Sequence, residues 1–92
     1  MKLKYSVTFI KGSFTPQEAK DVLLELITYK INFHSIKNFS SQERYGKPLK
    51  GSQKRIEELQ ASREKFVKLI ESAAREKTNL TIDSHIHIFI EK

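Results

Sequence analysis

Apolar and polar residues alternate near the N terminus, which is typical of a half-buried strand. We predict this strand over residues 2–11, with Gly12 and Ser13 ending it. The residues predicted to share its apolar side are Leu3, Tyr5, Val7 and Phe9. Ile10 is then expected on the outward side.

The C-terminal residues 80–90 show the same alternation more clearly. The apolar side consists of Leu80, Ile82, Ile86, Ile88 and Ile90, interrupted by Ser84. Phe89 falls on the opposite, polar side, together with two histidines. A second strand is predicted here.

Between the strands, apolar residues recur at spacings of three and four, which indicates helices. The first is predicted over residues 15–39, because Thr15, Pro16 and Glu18 form a capping-box sequence. Its expected core stripe is Ala19, Val22, Leu26, Tyr29, Phe33 and Ile36, with Leu23 and Ile27 widening it.

A second amphipathic helix is predicted over residues 53–77, with Ser52 as its N-cap and Asn79 as a left-handed exit residue. Its stripe is Ile56, Leu59, Phe66, Ile70 and Ala73, with Arg63 as the polar member. Residues 40–52 are left as a basic connection containing the turn residues Gly46, Pro48 and Gly51.

This order predicts one α+β domain over residues 1–92, with the arrangement β-α-α-β. Helices joined by a short link pack antiparallel, so the strands should form a two-stranded antiparallel ribbon under a helical hairpin. Such a ribbon is marginal alone and has two open edges. We therefore expect a homodimer, with a monomer as the alternative.

Composition narrows the function classes. The 92 residues include no cysteine, which excludes disulfides and thiolate metal sites. The chain has neither a signal-peptide pattern nor a run long enough to span a membrane, so a soluble cytoplasmic protein is expected.

Positive charge concentrates in residues 37–55, and the net charge of the chain is +6. The basic residues of this segment are Lys37, Arg44, Lys47, Lys50, Lys54 and Arg55. Near a helix start they suggest an anion or nucleic-acid site, with Phe39 and Tyr45 available for stacking on bases. The competing interpretation is a solvated basic connection.

The second strand places Asp83, His85 and His87 on one face at alternate positions. These residue types bind metals, but a polar outer face explains the pattern more simply, and we predict no cofactor. The residues show no nucleophile with a base and an orienting acid. The sequence therefore favours a non-enzymatic, self-associating interaction or structural module that also contacts another protein, with nucleic-acid binding as the alternative.

Overall fold

A computed structural model describes residues 2–46 and 51–91 of the chain. Its elements are β1 (Lys2–Phe14), α1 (Pro16–Tyr45), α2 (Ser52–Glu76) and β2 (Leu80–Ile90). β1 and β2 pair antiparallel in a two-stranded sheet. The predicted α+β class, the order of elements and the antiparallel ribbon are confirmed.

β1 extends beyond its predicted end. Gly12 does not stop the strand but pairs with Ile82 at φ 150°, a backbone angle that favours glycine, and Phe14 pairs with Leu80. The pairing register shifts between Thr8 and Ile10, which is the mark of a β-bulge.

The bulge changes which side chains share a face. Ile10 pairs with Ser84 and therefore lies on the same side as Val7, which pairs with Ile86. The prediction that Ile10 points outward is wrong, and Phe9 is the more exposed of the two. A single inserted residue reverses the alternation because side chains repeat every two residues along a strand.

α1 begins where the sequence predicts and ends later. The Glu18 amide donates to Thr15 Oγ1 at 3.1 Å, and the Thr15 amide donates to Glu18 Oε1 at 2.9 Å, completing the capping box. The helix continues to Tyr45 rather than ending near residue 39. It ends there because Gly46 adopts a left-handed conformation (φ 76°) and its amide donates to the Gln42 carbonyl at 2.9 Å.

Both predicted caps of α2 are wrong. Gly51 is the N-cap, with no side-chain hydrogen bond, and Ser52 is the first helical residue. At the other end Lys77 adopts the left-handed conformation (φ 54°) expected of Asn79. Asn79 instead donates from Nδ2 to Ser13 Oγ at 3.3 Å, which joins the two strand ends nearest the helices.

The two helices pack through a small core. α2 buries Ile56, Ile70 and Ala73, as its stripe predicts. α1 buries Ala19 and Ile27 on the side facing α2, and further along the same side it buries Asn38 and Ser41. The helical interface is therefore apolar near the strands and polar near the connection.

The ribbon makes few contacts with the helices, and the prediction that it lies under the hairpin is only partly correct. Its inner half, close to the helix ends, is half-buried at Ile10, Phe14, Leu80 and Ile82. Its outer half projects beyond the helices. The radius of gyration, 16.5 Å, exceeds the about 12 Å expected of a compact domain of this length.

Candidate interaction surfaces

The first candidate surface, the exposed α1 face, consists of Leu26, Tyr29, Phe33 and Ile36. These residues were predicted to form the core stripe, yet Tyr29 is 71% exposed and Ile36 is 66% exposed. Of the two residues expected only to widen the stripe, Ile27 is buried and Leu23 is half-buried, while Ala19 is the one member of the predicted stripe that is buried. α1 therefore has two apolar sides, of which α2 covers one.

The second candidate surface is the apolar face of the outer ribbon, formed by Tyr5, Val7, Ile86, Ile88 and Ile90. Register and alternation place these residues on the same face as Leu80 and Ile82, which meets the helices. Ile88 is nevertheless 50% exposed, because no helix extends over this part of the ribbon.

A groove of about 830 Å³ lies between β1 and α1. Phe9 and Ile10 line the strand side, and Val22, Leu26 and Tyr29 line much of the helix side. The groove connects the exposed α1 face with the ribbon. Its walls are mainly apolar, so it is suited to apolar side chains rather than to a charged ligand.

A basic cluster surrounds Phe33. Lys30 Nζ lies 4.7 Å and Lys37 Nζ lies 5.2 Å from the centre of the Phe33 ring, within the range of cation–π contacts. Arg55, on the first turn of α2, adds a third positive charge close to His34. The cluster defined by Lys30, Lys37 and Arg55 is therefore contributed by both helices.

His34 lies between the helices at the centre of this cluster. The residue is half-buried, but both ring nitrogens are inaccessible and have no hydrogen-bond partner among the described residues. Burial lowers the pKa of His34, and the charges of Lys30, Lys37 and Arg55 lower it further. A neutral imidazole is the form this environment favours at neutral pH.

The structure separates the basic residues predicted from the sequence. Lys37 and Arg55 meet at the basic cluster, and Arg55 also pairs with Glu58 at 3.4 Å. Arg44 lies in the last turn of α1, and Lys54 is exposed on the first turn of α2. Lys47 and Lys50 lie outside the described residues. Phe39 and Tyr45, predicted to stack on bases, are exposed.

The three residues considered as metal ligands, for which a polar outer face was the favoured interpretation, pair with neighbours instead of converging on one point. His85 Nε2 lies 2.9 Å from Asp83 Oδ1, while His87 Nδ1 lies 3.0 Å from Ser6 Oγ on β1. The two imidazole rings stack with centroids 6.3 Å apart. Within residues 2–46 and 51–91, no three metal-binding side chains come close enough to hold an ion.

Two features of these surfaces were missed by sequence reasoning. Lys30 was not included in the basic site because it precedes the charged segment, although its spacing of three from Phe33 and seven from Lys37 places all three on one helix side. The second feature is the side of α1 that faces α2, which carries His34, Asn38 and Ser41; no signal in the sequence indicated it, because polar residues at helical spacing ordinarily indicate a solvent-facing side.

Comparison with protein-family models, curated proteins and solved structures found no match to this chain. Neither described helix combines the length and apolar character needed to span a membrane.

Proposed function

We propose that this chain is a small non-enzymatic module that functions by self-association, forming a homodimer that presents its remaining surface to another protein. The observation that carries the proposal is the exposed α1 face. Four large apolar side chains occupy one side of a long helix at spacings of three, four and three, which is typical of a helix packed on a partner.

Burial elsewhere in the chain supports the same proposal. Among the described residues, the buried hydrophobic core consists of two alanines and three isoleucines, and no large side chain is fully buried. A core this small provides little of the apolar burial that a 92-residue domain needs. Covering the exposed α1 face and the outer ribbon with a second chain would supply the missing burial.

Analytical ultracentrifugation over a wide range of concentrations tests the proposal. We expect a monomer–dimer equilibrium that Tyr29→Lys shifts toward monomer by at least tenfold in Kd, because a charge at an apolar interface must be desolvated. Tyr45→Lys is the matched control, since Tyr45 is equally exposed, at 70%, but lies outside the exposed α1 face. A wild-type protein that stays monomeric at every concentration refutes self-association.

A second candidate function is polyanion binding, and the basic cluster is the observation that favours it. Lys30 and Lys37 both flank an aromatic ring, with Arg55 on the neighbouring helix, and this combination suits a phosphate backbone with an exposed base. The three cations lie on two regular elements, so their spacing is set by helix packing.

Titration with labelled single-stranded RNA and DNA at two salt concentrations tests this candidate. Changing Lys30, Lys37 and Arg55 together to Gln should weaken binding and reduce the slope of log K against log salt by roughly two units. The control changes Lys65, Lys68 and Arg75 to Gln. These exposed residues lie in the C-terminal half of α2, away from the basic cluster, and their replacement removes the same total charge. Equal effects of the two triple variants, or no binding at low salt, would reject the basic cluster as the site.

A further inference from the structure

Each chain leaves two apolar surfaces uncovered: a sheet face without a helix and a helix face without a sheet. A sheet face and a helix stripe are normally buried against each other. Here the inner half of the ribbon meets the helices, while the outer ribbon has no helix over it. Conversely, the exposed α1 face has no sheet over it. Within one chain, an open groove separates Leu26 and Tyr29 of this face from Phe9 and Ile10 of β1.

The two surfaces match in length. From Ile86 to Ile90 the ribbon advances about 13 Å at the usual rise of a strand. From Leu26 to Ile36 the helix advances about 15 Å at the usual rise of a helix. Each surface carries an exposed tyrosine together with aliphatic side chains, Tyr5 on the ribbon and Tyr29 on the helix. Charged residues lie at the edges of both surfaces: Lys30 and Lys37 flank Phe33 on the helix, and Lys2 pairs with Ile90 at the tip of the ribbon.

We infer that two copies of this chain cover each other reciprocally, with the outer ribbon of each packed on the exposed α1 face of its partner. This inference rests on the proposed self-association and specifies which surfaces meet. A twofold axis allows both contacts to form at once, because each chain provides one ribbon and one helix face. The occupant of each surface is therefore a second copy of the same chain.

The area available is sufficient for such a dimer. If the side chains of the exposed α1 face and the outer ribbon lose most of their exposed surface, each chain buries on the order of 800 Å². A standard-size protein interface buries about this area on each partner. Either surface alone would provide only about half of it, which favours the reciprocal arrangement over packing of two α1 faces or of two ribbons.

Cysteine cross-linking tests this arrangement directly, because the natural chain contains no cysteine. Two differently tagged chains are unfolded, mixed and refolded, one carrying Tyr29→Cys or Ile36→Cys and the other carrying Tyr5→Cys or Ile88→Cys. All four positions are exposed in a single chain, so the substitutions should leave it folded, which circular dichroism verifies. A short thiol-specific linker is then added.

We expect helix-to-ribbon cross-links between the two tagged chains to exceed helix-to-helix and ribbon-to-ribbon cross-links by at least fivefold. A ribbon cysteine moved to the polar face of the same outer part of the ribbon, Ser6→Cys, serves as the matched control and should cross-link poorly, because Ser6 is exposed and pairs with His87 next to the Tyr5–Ile88 pair. Predominant helix-to-helix or ribbon-to-ribbon products from a protein that sediments as a dimer would overturn the reciprocal arrangement but leave self-association intact. A monomer in sedimentation, with no cross-links between chains, would overturn both.

Discussion

Asn38 and His34 show how much polar surface the helical hairpin encloses. Asn38 is only 8% exposed, and its Nδ2 donates to Gln53 Oε1 at 3.4 Å while its Oδ1 has no partner among the described residues. His34, one turn earlier, has inaccessible ring nitrogens. Buried polar atoms without partners cost free energy, so the end of the hairpin near the connection should be its least stable part.

The first prediction concerns the effect of pH on His34. Because the folded state lowers the pKa of His34 below its ordinary value of 6.5, the unfolded chain takes up a proton more readily than the folded chain. The contribution of His34 to stability is therefore complete above about pH 6.5 and decreases as the pH falls toward the lower folded pKa. We expect the melting temperature to decrease over this range.

Thermal melts of the wild type and His34→Phe at several pH values between 5 and 7.5 measure this effect. The aromatic replacement keeps the bulk of the ring and cannot be protonated, so it should flatten the pH dependence. High salt should also reduce the dependence in the wild type by screening the charges of Lys30, Lys37 and Arg55. Parallel curves for the two proteins would show that His34 does not control the response.

At the scale of single elements, the capping box and the glycines determine where the helices begin and end. Thr15 and Glu18 satisfy each other's backbone amides at the start of α1. Gly46 and Gly51, both with positive φ angles, lie at the two ends of the connection between the helices. At Lys77, in contrast, a residue with a β-carbon adopts a left-handed conformation that ordinarily costs about 1 kcal/mol or more.

The second prediction concerns the cap of α1. Thr15→Ala removes the side-chain acceptor for the Glu18 amide and should lower the free energy of unfolding by about 1 kcal/mol. Thr28→Ala is the matched control, because Thr28 is exposed in the interior of the same helix and alanine has the higher helix propensity there. Urea denaturation measures both. A loss at position 28 as large as that at position 15 would contradict the role of the cap.

The whole molecule is open, with Cα extents of 50 × 31 × 15 Å. Most tertiary contacts join strand to strand or helix to helix, and few join the ribbon to the hairpin. The orientation of the ribbon relative to the helical hairpin is therefore the least restrained part of a single chain. A second copy that packs against both halves would restrain this orientation and stabilise the folded chain, so stability should rise with protein concentration.

Local patterns along the chain were enough to predict the type and order of the elements. Alternation identified both strands, and the spacing of apolar residues identified both helices, because these periods follow from backbone geometry alone. The start of α1 could also be predicted from local sequence, since Thr15 and Glu18 lie within one turn. The span of β2 and most of the α2 stripe were also predicted correctly.

Which residues are buried depends on how the helices and strands pack together. α1 has apolar side chains on two sides, and periodicity cannot indicate which side meets α2, because that depends on the position of a helix far along the chain. The bulge near Phe9 likewise depends on pairing with β2, which local sequence does not encode. The exposed α1 face, the outer ribbon and the basic cluster all result from these non-local contacts.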